Sequence, residues 1–256
     1  MDAFSERADP VATLRRDLAI AYRLIALKGL DDLIYTHISA RLPDGPDGKH
    51  RFLLNPMGLR FDEVTPQNLV TIDADGAVIE DPFGRGVNAA GFTIHSAVHL
   101  ARPDVVCVLH THTTAGVAVS SVAEGLLSLN QWSAQFHNKV AVHDYEGIAL
   151  DLAERDRLIA DLGPHFVMIL RNHGLLTCGR SVAEAVKLTL NLERSCQAQV
   201  AALSMGLTPR PIPDALARHT AAQYQAAYDA AEASGDDEEW DAIVRLVTDT
   251  DKDTFS

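Results

Sequence analysis

Two histidines one residue apart, His110 and His112, end the apolar run in CVLHTHTTAG, residues 107–116. In an extended strand alternate side chains share a face, so both imidazoles point one way and Thr111 the other. Two neutral imidazoles at that spacing can reach one ion at about 2.0–2.1 Å. A pair is half a site. The stretch FVMILRNHGLLTCG offers a third imidazole, His173, at the end of another apolar strand. Gly174 beside it lets the backbone turn sharply, so that the ring can face inward. Three histidine ligands leave a coordination position open, which marks a catalytic rather than a structural metal centre. Alternatively, all three are strand-end histidines hydrogen-bonded to nearby loops.

His95 and His99, in HSAVH, form a rival pair four residues apart on a helix. The metalloprotease signature with that spacing also needs a glutamate after the first histidine, and Ser96 stands there. One of the two is expected to face the site interior and the other the surface.

Length and composition bound what these residues can serve. A chain of 256 residues is long enough for a large core and near the upper limit for one domain. With 22 basic and 35 acidic side chains the net charge is −13, which argues against a nucleic-acid partner. Cys107, Cys178 and Cys196 lie in apolar stretches and are odd in number, as buried thiols of a reducing compartment would be. No basic-then-apolar leader opens the sequence and no apolar run is long enough for a membrane span. A cytoplasmic protein acting on a small molecule is the expectation.

The elements that must position the histidines alternate along the chain. Leu14, Leu18, Tyr22 and Ile25 predict a helix from about Thr13 to Leu27, stopped at Gly29. Strand-like LIYTHISARL, RFLLN, LVTID and AVIE follow, divided by turns such as PDGPDG and DADG. A helix over Gly91–Ala101 closes at Arg102-Pro103, DVVCVLHTH is a buried strand, and a helix runs from Thr113 toward Gly125. KVAVHD predicts a further strand, and capping-box patterns at Asp151–Glu154 and Ser181–Glu184 predict two more helices. Residues 1–256 therefore read as one α/β domain with a central sheet between helices. Residues 207–256 read as a helical C-terminal arm, packing on a neighbouring subunit through Trp240, Ile243 and Leu246.

The order GFTIHSAVHLARPDVVCVLHTHTTAGVAVS, then MILRNHGLLTCGRSVAEA, resembles the class II aldolase/adducin family over about residues 13–206. LIYTHISARL, FLLNPMGLRFDEVTPQNLV and HDYEGI are closer to its adducin-like branch than to its sugar-phosphate aldolases. The resemblance implies a three-layer α/β/α sandwich around a central, largely antiparallel sheet, and a homotetramer with sites between subunits. It also implies that His110, His112 and His173 bind a divalent metal. Zinc suits three imidazoles, and iron, manganese and cobalt are compatible with them.

The chain departs from the aldolases at the acid/base. In fuculose-phosphate-type aldolases a glutamate lies four residues before the histidine that matches His95, and here that position is Gly91. Glycine can neither carry a proton nor bind the ion. Thr36-His37-Ile38-Ser39 replaces a Gly-Asn pair before the strand serine, and Asn55-Pro56-Met57-Gly58 replaces a Thr-Pro-Ser-Gly turn. Both changes weaken a phosphate cradle, so a non-phosphorylated substrate is expected. Asn55, Gly58, Gly91 and Thr111 are then its candidate contacts. The candidate proton carriers are His37, Tyr145 and Glu146, although the last two also suit a plain surface turn. A metal-dependent lyase, an iron-dependent oxygenase acting on 2-keto acids, and a non-catalytic module like the adducin head are all compatible with this pattern.

Overall fold

The computed structural model describes residues 9–45, 47–147 and 153–255. Helix α1, Pro10–Leu27, begins where the Asp9 side chain accepts the Val11 N–H at 3.0 Å, with Pro10 at a position that needs no N–H. Eight strands form one sheet in the order β4-β3-β2-β1-β5-β8-β7-β6. Its members are β1 (His37–Arg41), β2 (Arg51–Leu54), β3 (Val70–Asp73) and β4 (Val78–Glu80), then β5 (Cys107–Thr111), β6 (Val140–His143), β7 (Val167–Leu170) and β8 (Gly174–Gly179). Six neighbouring pairs are antiparallel, and β6–β7 is parallel.

Strand alternation divides the core into two layers. Cys107 and Leu109 pack with Leu18 and Leu24 of α1 and with Val186 and Leu190 of α6, Val182–Ser204. Val108, Met168 and Leu176 point the other way. They pack with Ile94 and Val98 of α2 (Ala89–Ala101) and with Leu158 and Leu162 of α5 (Glu154–Leu162). The expected three-layer sandwich is the result, with short α3 (Thr114–Ser120) and α4 (Gln131–Ala134) between β5 and β6. Ser181 caps α6 by accepting the Glu184 N–H, as its sequence pattern predicts, whereas Asp151 lies outside the described residues.

The C-terminal arm departs from expectation. Helix α7, Asp214–Ser234, is largely exposed, but α8, Glu238–Thr250, returns to its own chain. Trp240, Ile243 and Val247 form its buried stripe and join the cluster of α1, while Leu246 is 41% exposed. Helical spacing explains this: positions 240, 243 and 247 share a face and 246 falls beside it. No helix among the described residues is long and apolar enough to cross a membrane.

Candidate metal centre

His110 and His112 leave the sheet where β5 ends, and the β7–β8 turn brings His173 to the same end. Asn172 takes a left-handed φ of 54° in that turn. A Cβ on Gly174 would stand 2.3 Å from the Thr111 carbonyl oxygen, so only glycine lets β8 start this close to β5. Gly174→Ala is expected to push the turn outward and lower metal affinity at least about tenfold, read by competition with a chromogenic chelator.

The hydrogen bonds at Nδ1 fix the tautomers. A carbonyl only accepts, so the His110 Nδ1–H donates to Leu175 O at 2.9 Å, and the His112 Nδ1–H donates to the Asp32 carboxylate at 3.0 Å. Both Nε2 atoms therefore carry lone pairs. They lie 2.8 Å apart, and His173 Nε2 is 2.9 Å from that of His112. Lone pairs facing each other with no proton between them repel, and a shared cation turns that repulsion into ligation. Nitrogens of all three rings lie within 4.8 Å of one another. The donor set fits a divalent ion, and Asp32 orients the His112 ring from behind. Burial holds His110 well below the usual histidine range, with neighbouring His173 and His112 adding to the effect, and it lowers His173 to about 4. These two rings are neutral at pH 7 and free to ligate.

The triad opens into a cavity of about 620 Å³ whose wall includes Asp32, Tyr35, His37, Asn88 and Tyr145. No lysine or arginine is among its described lining residues. Of the residues expected at the site, His37 and Tyr145 line this cavity beside the three histidines. Tyr145 is 56% exposed, with its ring centroid 6.4 Å from that of His173. Glu146 turns away: Arg157 Nε donates to it at 2.7 Å, which holds the carboxyl below its usual range. Asn55 is buried, accepts the Tyr22 hydroxyl at 2.9 Å, and is not among the described residues that line the cavity. Gly58 sits near Arg85, and buried Thr111 lies on the opposite face of β5 by strand alternation.

His37 stands directly opposite His110 in the β1–β5 register and is 3% exposed. Its ring fills the space in front of Gly91, where a Cβ would lie 2.0 Å from His37 Cδ2. Gly91 thus serves the site by leaving room for an imidazole. Gly91→Ala is expected to cost about 1–3 kcal/mol by overpacking, and His37→Ala in the same chain to recover most of it. Thermal denaturation of both single variants and the double variant measures the coupling, and additive losses would contradict the contact. His95 and His99 also correct the sequence expectation: neither faces the surface, and both are buried on the side of α2 that lies on the sheet. The reading of spacing missed Asp32, whose role rests on a contact 80 residues away in sequence.

With this geometry in place, comparison with known proteins identifies the fold's lineage. The sequence profile of the class II aldolase and adducin N-terminal domain matches residues 16–200. The chain belongs to that family. Alpha-adducin of Rattus norvegicus is 44% identical over 193 residues, which are 75% of this chain and 26% of that protein. The crystal structure of an aldolase II superfamily protein from Pseudomonas syringae shares 47% identity and a TM-score of 0.89, covering 98% of each chain. An L-fuculose 1-phosphate aldolase from Glaciozyma antarctica PI12 is 30% identical with a TM-score of 0.82, covering 100% of this chain and 96% of its own.

Proposed function

We propose that this protein is a metal-dependent lyase for small, non-phosphorylated 2-keto or 2-hydroxy acids, with zinc held by His110, His112 and His173. The observation that carries this reading is the convergence of the ligating nitrogens on one cavity. Bound there, the ion supplies Lewis-acid polarisation of a substrate carbonyl and offsets the charge that develops on it. His37, buried on the wall, takes or returns the substrate proton at a ring nitrogen, the role a carboxylate at position 91 would otherwise fill. Tyr145 offers a phenol at the mouth as a second proton donor. Without a lysine or arginine on the described wall, a phosphate would lack a fixed counter-charge, which favours a carboxylate that the ion can bind directly. Retro-aldol cleavage, decarboxylation and dehydration all use this arrangement. A homotetramer belongs to the same reading, on the family resemblance alone.

The likeness to alpha-adducin favours a second reading, a non-catalytic interaction module. The two are separated by the exchange of pyruvate methyl protons for deuterium, followed by NMR in D2O with anaerobic zinc-loaded protein. Exchange without oxygen supports the lyase. Oxygen uptake by the Fe(II) form with a 2-keto acid would move the assignment to an oxygenase. Neither exchange nor oxygen uptake would leave the interaction module.

A further inference from the structure

Behind His37, helix α2 carries two more imidazoles into the core. His95 and His99 are 1% and 0% exposed, and both rings meet the hydroxyl of Ser39 on β1. Ser39 Oγ lies 2.7 Å from His95 Nδ1 and 2.8 Å from His99 Nε2. A hydroxyl has one proton, so it donates to one ring and accepts an N–H from the other, which ties the two tautomers together. His99 lies flat on Phe52 with centroids 4.9 Å apart. His95 stands edge-on to His37, with centroids 4.8 Å apart and planes at 73°. On its other side His37 abuts the bare α-carbon of Gly91.

Apolar side chains would fill this volume at less cost. Burying an imidazole stabilises nothing unless its polar atoms find partners, and His37 Nδ1, His95 Nε2 and His99 Nδ1 have no hydrogen-bond partner among the described residues. A polar cluster kept in the core against that cost, on the wall of a reaction cavity, points to a role at the site.

We propose that Ser39, His95 and His99 form a positioning unit that sets the ring orientation of His37 toward the metal cavity. The inference rests on the reading of His37 as the proton carrier. Ser39 fixes the plane of His95, and the plane of His95 together with Gly91 confines His37. Among these groups only His37 lines the cavity, so the other three act through it and not on substrate.

The test uses zinc-loaded protein labelled with 15N-histidine. Wild-type His37 is expected to show one sharp set of ring resonances, as a single ring orientation gives. Ser39→Ala should shift and broaden the His37 ring resonances as the ring samples more than one orientation, and Ser39→Thr should keep the wild-type spectrum. His99→Phe preserves the stacking on Phe52 and probes the same link if Ser39→Ala folds poorly. His37 resonances unchanged in both Ser39→Ala and His99→Phe overturn the proposal. Pyruvate proton exchange gives a second readout: Ser39→Ala should lower kcat about tenfold or more, leave KM and zinc content unchanged, and be rescued by threonine. His37→Gln separates the two possible failures. Exchange that survives in it removes His37 as carrier, whereas exchange lost there but intact in Ser39→Ala removes the positioning unit.

Discussion

Stripped of metal by chelation, the protein should unfold cooperatively as the pH falls from about 6.5 toward 4, taking up several protons. His37, His95 and His110 are held well below the ordinary value of 6.5 chiefly by burial, and His99 is lowered to about 3 by the same cause. In the unfolded chain these rings titrate near 6.5. Their folded-state values are therefore depressed, and below 6.5 the unfolded chain binds more protons. Their contribution to stability is complete above that pH and declines as the pH drops. Each ring costs about 1.4 kcal/mol per pH unit, and four together cost about 5.6 per pH unit. A whole domain is stable by about 5–15 kcal/mol, so the fold should fail within this pH range. Circular dichroism against pH, with proton uptake measured in parallel, checks this. A chain that keeps its stability from pH 7 to 4 would contradict the buried, neutral state of these imidazoles.

His110→Ala should abolish high-affinity zinc binding and lower the melting temperature only where zinc is present. Metal that binds the folded state a thousandfold above its Kd stabilises it by about 4 kcal/mol. In a chain of this size each kcal/mol moves Tm by about 2–4 °C, so zinc should raise the wild type by about 10 °C and leave the variant unmoved. In excess chelator the gap should shrink. The variant then loses the packing of one ring but also loses the lone-pair repulsion between His110 and His112, whose nitrogens lie 2.8 Å apart. Calorimetry with and without zinc reads both effects. A variant that keeps the zinc-dependent rise would show that His110 is no ligand.

Local pattern made much of this molecule legible. All eight strands fall within the stretches marked by apolar runs and turn residues, because strand alternation and Gly/Pro punctuation are properties of a few neighbouring residues. The His110–Thr111–His112 alternation likewise fixes which rings share a face. Long-range pairing lies beyond such patterns. That His37 stands opposite His110 depends on the β1–β5 register, and that Asp32 holds His112 depends on a loop distant in sequence. The spacing of His95 and His99 placed them on one helix face but did not say that this face would lie on the sheet. Trp240 and Ile243 were recognisable as a contact stripe, while its partner, α1 of the same chain, emerged only from tertiary packing. Asn55 and Glu146 showed suitable chemistry in sequence, yet Tyr22 and Arg157 engage them.

Zinc titration of chelator-stripped protein at pH 7.5, read by isothermal calorimetry, bears most directly on the three-imidazole centre. One equivalent per chain should bind with submicromolar affinity in the wild type, and His112→Ala and His173→Ala should each reduce that affinity severely. Wild-type protein that binds no zinc, or variants that bind it as tightly as the wild type, would contradict a metal centre built from these three rings.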